Sequence, residues 1–271
     1  MRRTLSQFDI GQIADSGQCF RLVRTAPDTF VLTAGSDWLE IRQSGSEVIF
    51  SCDEEEFEGR WRKYFDLDTD YGAIQACIKE EDSYMRRAAS FGSGIRILRQ
   101  DSWEMLITFI LSQRNNIPRI RKCVESLCRT FGTRCTNLRG DIYYAFPTPA
   151  QLHCLNEAGF NACGLGYRKR YIQEAAAAVD RGSFCLEALE GMDYETAKSE
   201  LMKLCGVGVK VADCICLFAL HHIEAFPVDT HIERVLKEQY PQGFPFERYA
   251  GFAGILQQYA FYYDLNKPIA G

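Results

Sequence analysis

The feature that most limits how this chain can fold is a single change of hydrophobic period near residue 60. Between about Phe20 and Cys52 the apolar residues fall in short runs of β-formers: Phe30-Val31-Leu32, Trp38-Leu39-Glu40-Ile41 and Val48-Ile49-Phe50. The turn signals Ala26-Pro27-Asp28, Gly35-Ser36-Asp37 and Ser44-Gly45-Ser46 separate them. Such spacing predicts a small antiparallel sheet. After Arg60 the period becomes helical, with Trp61, Tyr64 and Phe65 on one face, and it stays helical almost to the end. The expected class is mostly α with an N-terminal antiparallel β-sheet, an α+β fold. We place a β domain at 1–72 and a helical core at 73–271. At 271 residues the chain can bury a substantial core.

Composition narrows the function classes. The chain is 46% hydrophobic and 25% charged with 8 prolines, which excludes disordered and low-complexity readings. Its longest apolar stretches, such as Ile215 to Leu220, are far below the roughly 18 residues of a membrane span. Met1-Arg2-Arg3-Thr4 leads into no secretory segment, so an intracellular protein is expected. The 12 cysteines are scattered singly through apolar patterns, which predicts free thiols rather than a disulfide framework or a zinc knuckle.

A net charge of −5 argues mildly against a polyanionic partner, but the charges are segregated. Asp53 to Glu58 holds five acids in six positions, whereas Arg114 to Arg134 holds six Arg/Lys against the single acid Glu125. A basic face is expected.

Within the helical part, Trp103 to Leu111 is apolar almost all round and should lie inside its domain. The polar break Ser112-Gln113-Arg114-Asn115-Asn116 follows, then Pro118 in the first turn of a basic helix that Gly132 ends. This loop is either an ordinary connection or a binding edge.

From about 197 to 221 the pattern reads helix, Cys205-Gly206-Val207-Gly208-Val209, helix. Two glycines around one apolar residue allow a tight turn and close approach of backbone to a ligand, and the second helix offers free N–H groups as a phosphate seat. Lys210 stands in the first turn of that helix. Gly-Val-Gly between helices, followed by Lys, is the helix-hairpin-helix pattern of sequence-independent DNA binding. Nineteen residues on, Phe226-Pro227-Val228-Asp229-Thr230-His231 places Asp229 to cap the next helix. Asp229 alone could be that cap and no more, and Lys210 alone a solvated lysine.

Together the hairpin, the lysine and the downstream Pro-Val-Asp-Thr-His resemble the helix-hairpin-helix DNA glycosylases, specifically the 8-oxoguanine DNA glycosylases of the eukaryotic type. Further matches follow in that family's order: Ser16-Gly17-Gln18-Cys19-Phe20-Arg21, Leu98-Arg99-Gln100-Asp101, Gly164-Leu165-Gly166-Tyr167-Arg168, Gly206 through Cys214, and Ala253-Gly254 to Leu265.

The resemblance implies a two-part helical core and a bifunctional glycosylase/lyase that flips 8-oxoguanine out of duplex DNA. Lys210 would be the nucleophile and Asp229 the carboxylate that stabilises the cationic sugar. The base pocket would comprise Gly17, whose carbonyl accepts from the N7 hydrogen of the oxidised base, with Phe20, Cys214, Gln257 and Phe261. Gln257 and Phe261, four residues apart, share a helical face. Cys214 would pack on the base or exchange charge with the amine.

DNA contacts would come from Arg114, Asn115, Arg119, Tyr167, Arg168, Gly206, Val207, Gly208 and His231, with Arg119 and Arg168 reading the cytosine opposite the lesion. Arg114 departs from the family, which commonly has a third asparagine there. No metal or cofactor is expected. Relatives carrying an iron–sulfur cluster use four cysteines near the C-terminus, and no Cys follows Cys216. A monomer acting on double-stranded DNA is expected, without membrane association, in the cytoplasm of a prokaryote or the nucleus of a eukaryote. The rival readings are a monofunctional alkyl-base glycosylase, which needs only water as nucleophile, and a non-catalytic hairpin protein that clamps phosphates.

Overall fold

In a computed structural model, which describes residues 1–153 and 163–267, the N-terminal part is a five-stranded antiparallel sheet. Its strands are β1 (Arg2–Thr4), β2 (Leu22–Ala26), β3 (Thr29–Ala34), β4 (Asp37–Ser44) and β5 (Glu47–Phe50), in the spatial order β1-β5-β4-β3-β2. The expected turns close the hairpins, with Gly35 and Gly45 both at φ near +60°, where a side chain would strain the backbone. Alternation sends Phe30, Leu32, Leu39, Ile41, Val48 and Phe50 to one face. There they meet α1 (Ile10–Asp15) and a helical segment α2 over 54–64, which contributes Phe57, Trp61 and Tyr64.

The helical segment begins six residues before the expected Arg60. The reason is electrostatic. Asp53 caps it by accepting from the Glu56 N–H at 2.8 Å, and Glu54, Glu55 and Glu56 occupy its first turn, where the positive end of the helix dipole favours acids. The acidic run is thus a helix start. A π-helical turn over Phe57–Trp61 then directs both aromatic rings into the core.

The helical part comprises α3 (Tyr71–Ala76), α4 (Ser83–Phe91), α5 (Ser102–Ser112), α6 (Ile117–Phe131), a small hairpin of β6 (Arg134–Thr136) and β7 (Ile142–Tyr144), then α7 (Pro149–His153), α8 (Arg168–Asp180), α9 (Tyr194–Leu201), α10 (Val209–Phe218), α11 (Thr230–Gln239) and α12 (Ala253–Asn266). Every residue from Trp103 to Leu111 is buried, so α5 is the central helix. On one side α10 packs on α5 and α9 on α10; on the other, α12 packs on α4 and α11. One hydrophobic cluster runs through both sets.

The two halves of the chain interlock across the expected boundary at 72. Leu98 is buried in the N-terminal core, and Phe20 in the helical one. An ion pair between Arg21 and Glu104 at 3.4 Å, with side chains only 6% and 8% exposed, ties the sheet to α5. Its remaining valences are met: Arg21 also donates to the carbonyls of Gly35 and Tyr144, and Glu104 accepts from the Gly35 N–H. A buried pair so arranged adds little net stability but is costly to break from one side.

Candidate active site

The hairpin supplies the amine. Gly206 adopts φ +83°, and a Cβ there would run into the Tyr171 ring, 2.6 Å from Cδ2. Only glycine allows α9 to turn this closely against α8. Val207 is buried as the pin of the turn, and Gly208 is the N-cap residue just before α10, without a side-chain cap and open on its Cβ side. The first N–H groups of α10 therefore face outward without a side-chain partner, as an anion seat requires.

Lys210, in the first turn of α10, is half-buried. Its Nζ donates to Ser112 Oγ at 3.0 Å and lies 5.3 Å from the centre of the Phe109 ring. Ser112 Oγ in turn donates to the Phe109 carbonyl at 2.8 Å, so the last turn of α5 holds the amine in place. Cys214, one turn further along α10, is buried. Burial pushes its thiol up to about 11; Lys210 works against this, and Asp229 adds to it. Cys214 is thus protonated at neutral pH, which leaves it to pack or hydrogen-bond rather than to form a thiolate pair with the amine. Lys210 and Asp229 both lie within electrostatic reach of this thiol.

Asp229 caps α11, its Oδ1 accepting from the N–H groups of His231 and Ile232 at 3.0 Å each. Both amide bonds fall on the same carboxylate oxygen, so the cap leaves Oδ2 free of them. The loop before Asp229 is fixed from α12: Gln257 Nε2 donates to the Pro227 carbonyl at 2.9 Å. Gln257 is buried, and its Oε1 has no hydrogen-bond partner. A buried acceptor left open costs about 1–3 kcal/mol. An incoming base edge with N–H donors would satisfy it.

One turn along α12, Phe261 faces Gly17. A Cβ on Gly17, which has φ +74°, would stand 3.0 Å from Phe261 Cε1 and 3.3 Å from Ile117 Cδ1. Backbone and ring are therefore in direct contact, and a planar ligand enters here only if Phe261 moves off Gly17. The turn is held from beneath. Gln258 Nε2 donates to the Ser16 carbonyl, and Gln18 donates to Ser16 Oγ and the Arg96 carbonyl at 2.9 Å each. Gln18 also accepts from the Leu98 N–H at 2.9 Å. These buried amides escape a reading of the sequence, although a Gln next to Gly17 and another next to Gln257 were visible as polar residues in apolar surroundings.

His231 Nδ1 lies 2.9 Å from Asp264 Oδ2, and its ring packs edge-on to Phe261 at 5.4 Å. Asp264 also receives Arg234 and Lys267. Burial alone would raise this carboxyl, but the hydrogen bonds from Arg234, His231 and Lys267 hold it below the usual carboxylate range. His231 is thus oriented by its partner before any phosphate arrives.

Two further expected site residues are turned into the interior. Phe20 is buried edge-on to Phe109 at 6.3 Å, and Phe109 stacks on Phe218 at 5.5 Å. Phe20 belongs to the wall beneath Lys210, because residue 20 follows the Gly17 turn with its side chain directed to the core. Arg168 is 4% exposed and turned inward. Its Nε donates to the Gln113 carbonyl at 2.8 Å and Nη2 to the Gln113 and Arg114 carbonyls, the latter at 3.0 Å. Its guanidinium clips the 112–116 loop. A buried cation is retained only when such acceptors surround it, and here the loop's free carbonyls supply them.

The loop elements meet at one edge. Gln113 Nε2 donates to the Gly206 carbonyl at 2.9 Å, and the half-exposed Tyr167 hydroxyl reaches the Gln113 carbonyl at 3.4 Å. Asn115 Nδ2 donates to the Leu111 carbonyl at 3.0 Å, and Asn116 caps α6. Arg119 and Lys122 are exposed along α6, whose apolar residues Ile120, Val124 and Leu127 are buried. Burial raises the thiol of Cys123, and Arg119 and Arg168 both work against it.

Residues 107–242 match the family described as HhH-GPD superfamily base excision DNA repair protein, which covers half of the chain. The chain belongs to this superfamily. Residues 1–106 match the N-terminal domain of 8-oxoguanine DNA glycosylase, which places it in that branch. Over 191 residues it is 37% identical to the N-glycosylase/DNA lyase of Saccharomyces cerevisiae, covering 66% of this chain and 50% of that protein. The chain thus spans about half the length of this curated relative.

Among solved structures, the Clostridium acetobutylicum 8-oxoguanine glycosylase/lyase, in complex with DNA containing cytosine opposite 8-oxoG, is 36% identical with a TM-score of 0.90. The match covers 96% of this chain and 93% of that one. MBOgg1 in complex with a low-affinity DNA ligand is 34% identical with a TM-score of 0.91, over 97% and 94%. An Archaeoglobus fulgidus 3-methyladenine DNA glycosylase, 19% identical with a TM-score of 0.78, shares the fold. The glycosylase superfamily therefore accounts for both parts of the molecule, the sheet as well as the hairpin core.

Proposed function

We propose that this protein is a bifunctional DNA glycosylase/AP lyase that removes 8-oxoguanine from duplex DNA. The carrying observation is the half-buried Lys210 amine in the first turn of the hairpin's second helix, anchored on Ser112. Water-using relatives need the aspartate but no such lysine, so the anchored amine favours the lyase reading over the alkyl-base alternative. Likeness to glycosylase/lyases over nearly the whole chain supports the same choice.

Chemically, an unprotonated Lys210 Nζ attacks C1′ and the glycosidic C–N bond breaks, the base leaving with the electron pair and a proton. Positive charge on the sugar develops near Asp229, whose attraction strengthens in a site shielded from water. Loss of the amine proton and ring opening give an imine. Its electron demand acidifies C2′–H, and removal of that proton expels the 3′ phosphate. Hydrolysis of the imine by water regenerates the lysine. The flipped base packs on Phe261, which swings off Gly17 to admit it, with the Gly17 carbonyl accepting its N7 hydrogen and the open Gln257 Oε1 accepting from its Watson–Crick edge.

Borohydride added during turnover on an 8-oxoguanine duplex is expected to trap a covalent protein–DNA species. The Lys210→Gln variant is expected to trap none and to lose more than about a thousandfold in base release while still binding DNA. Equal base release by the two proteins overturns the proposal. A 3-methyladenine duplex run in parallel tests the alkyl-base alternative.

A further inference from the structure

We propose that Gln258, acting with Gln100 and Gln18, fixes the direction of the peptide group between Gly17 and Gln18, and by doing so makes the site read 8-oxoguanine rather than guanine. The inference rests on the glycosylase reading above and deepens it.

A peptide group presents its carbonyl on one side and its N–H on the other. Turned one way, the Gly17–Gln18 peptide offers the base an acceptor, the Gly17 carbonyl. Turned over, it offers a donor, the Gln18 N–H. The two bases differ at N7 in the same sense: 8-oxoguanine carries a hydrogen there, guanine a bare lone pair. An acceptor matches the oxidised base and opposes the normal one, and a donor does the reverse. One rotation therefore exchanges the preferred base.

Glycine at position 17 does little to resist that rotation. It lacks a Cβ and stands at φ +74°. Neither the Gly17 carbonyl nor the Gln18 N–H has a hydrogen-bond partner among the described residues. The peptide itself is thus unanchored.

Its neighbours are anchored on both sides. The preceding carbonyl, of Ser16, accepts from Gln258 Nε2, and the following one, of Gln18, accepts from Gln100 Nε2 at 2.9 Å. The Gln18 side chain is held at both ends: Nε2 donates to Ser16 Oγ and the Arg96 carbonyl, and Oε1 accepts from the Leu98 N–H, each at 2.9 Å. Ser16, Gln18, Gln100 and Gln258 are all buried, so water does not replace a lost bond. With both flanking peptides and the Gln18 side chain fixed, turning the middle peptide over carries φ of Gln18 through half a turn. Gln18 is not among the residues at positive φ, so the rotation drives it into that region, which a residue with a side chain resists. Releasing a clamp lets the whole turn share the rotation, and the resistance falls. Gln258 is the clamp supplied by the helix of the base pocket: it neighbours Gln257 on α12 but is directed to the turn. It is a positioning residue.

The test uses duplexes carrying 8-oxoguanine, 8-bromoguanine or guanine opposite cytosine. 8-Bromoguanine keeps a substituent at C8 but has the bare N7 of guanine, so it isolates the N7 hydrogen. Equilibrium binding of the three duplexes, in a Lys210→Gln background that does not turn over, is measured for the otherwise wild-type protein, Gln258→Met, Gln100→Met and Ile255→Val. Single-turnover excision of 8-oxoguanine is measured alongside with Lys210 in place. Methionine keeps the length of glutamine and lacks its donor. Gln258→Met is expected to lower the 8-oxoguanine-over-8-bromoguanine affinity ratio at least about fivefold, the size of one discriminating hydrogen bond, without weakening binding to guanine or 8-bromoguanine. Gln100→Met should shift the ratio the same way. Ile255→Val, which loosens a buried position of α12 outside the turn, should keep the ratio within about twofold of wild type.

A parallel loss on all three duplexes in Gln258→Met would show that the amide only holds the fold, and overturns the proposal. So does a ratio unchanged within about twofold, or an equal drop in Ile255→Val. If neither methionine variant folds, the amides are structural and the proposal falls as well. A wild type that neither excises nor prefers 8-oxoguanine defeats the glycosylase reading, whereas a wild type that does both, with an unchanged ratio in the variants, defeats this inference alone.

Discussion

At Lys210 the site depends on one hydrogen bond and one ring. The amine is presented by Ser112 and backed by Phe109, so its position is set by α5 rather than by its own helix. Gly17 depends on the opposite kind of constraint, the absence of an atom. Its φ of +74° and the 3.0 Å approach of the Phe261 ring leave no room for a methyl group. Gly17→Ala is expected to destabilise the fold by about 1 kcal/mol or more. It should depress excision further than that loss explains, because the added Cβ stands in the space the base needs once Phe261 has moved off Gly17. Denaturant unfolding beside single-turnover excision checks this, and a variant with lowered stability but unchanged excision contradicts it. Cys214, with its thiol pushed to about 11 mainly by burial, is a packing and hydrogen-bonding neighbour of Lys210 near neutral pH.

Among the elements, the hairpin and the loop after α5 act as one unit through Gln113, whose amide spans to the Gly206 carbonyl. The hairpin's own limit is the contact of Gly206 with Tyr171. Gly206→Ala combines a φ of +83° with a clash against the Tyr171 ring and the Cβ that carries it, so α8 and α9 must separate. We expect a loss of about 2–3 kcal/mol in stability together with weakened DNA binding at low salt, where phosphate contacts dominate. Gly208→Ala, which meets nothing within 4 Å, should cost far less. Thermal unfolding and fluorescence anisotropy on one duplex compare the two, and equal effects would refute the argument. Much of this unit is legible in the sequence, since Gly-Val-Gly and the Asp229 cap are local signals. The inward turn of Arg168 is not, because its acceptors lie more than fifty positions away, in the loop after α5.

Over the whole molecule, the sheet and the helical core are joined at buried charges. Asp66, buried and at φ +51°, accepts from Arg99 at 2.9 Å, Thr69 at 3.0 Å and Tyr71 at 3.0 Å, and stands 3.1 Å from His221 Nε2 just beyond α10. Burial alone would raise its carboxyl, but the bonds from His221, Arg99 and Thr69 hold it below the usual range. A folded-state value below the unfolded value of about 3.9 stabilises the protein above that pH, and the stabilisation is lost as pH falls through the depressed value. Asp66→Asn is therefore expected to cost about 3 kcal/mol at pH 7 and to flatten the acid limb of the stability curve. Urea midpoints from pH 3 to 7 read both, and a variant whose curve runs parallel to wild type excludes Asp66 as the linkage.

The sequence alone determined the strands, the buried helix, the hairpin, the capping carboxylate and the shared face of Gln257 and Phe261, because alternation, helical period, caps and glycine turns are set within a few residues of the chain. It misjudged the start of α2, where an acidic run on the surface was a helix N-terminus. Tertiary structure decided which amine partner is Ser112, which guanidinium is buried and which is free, and how Gln258 and Gln18 brace Gly17. Those contacts join residues distant in sequence, and a polar side chain commits to its partner only once packing has removed water and left one acceptor within reach.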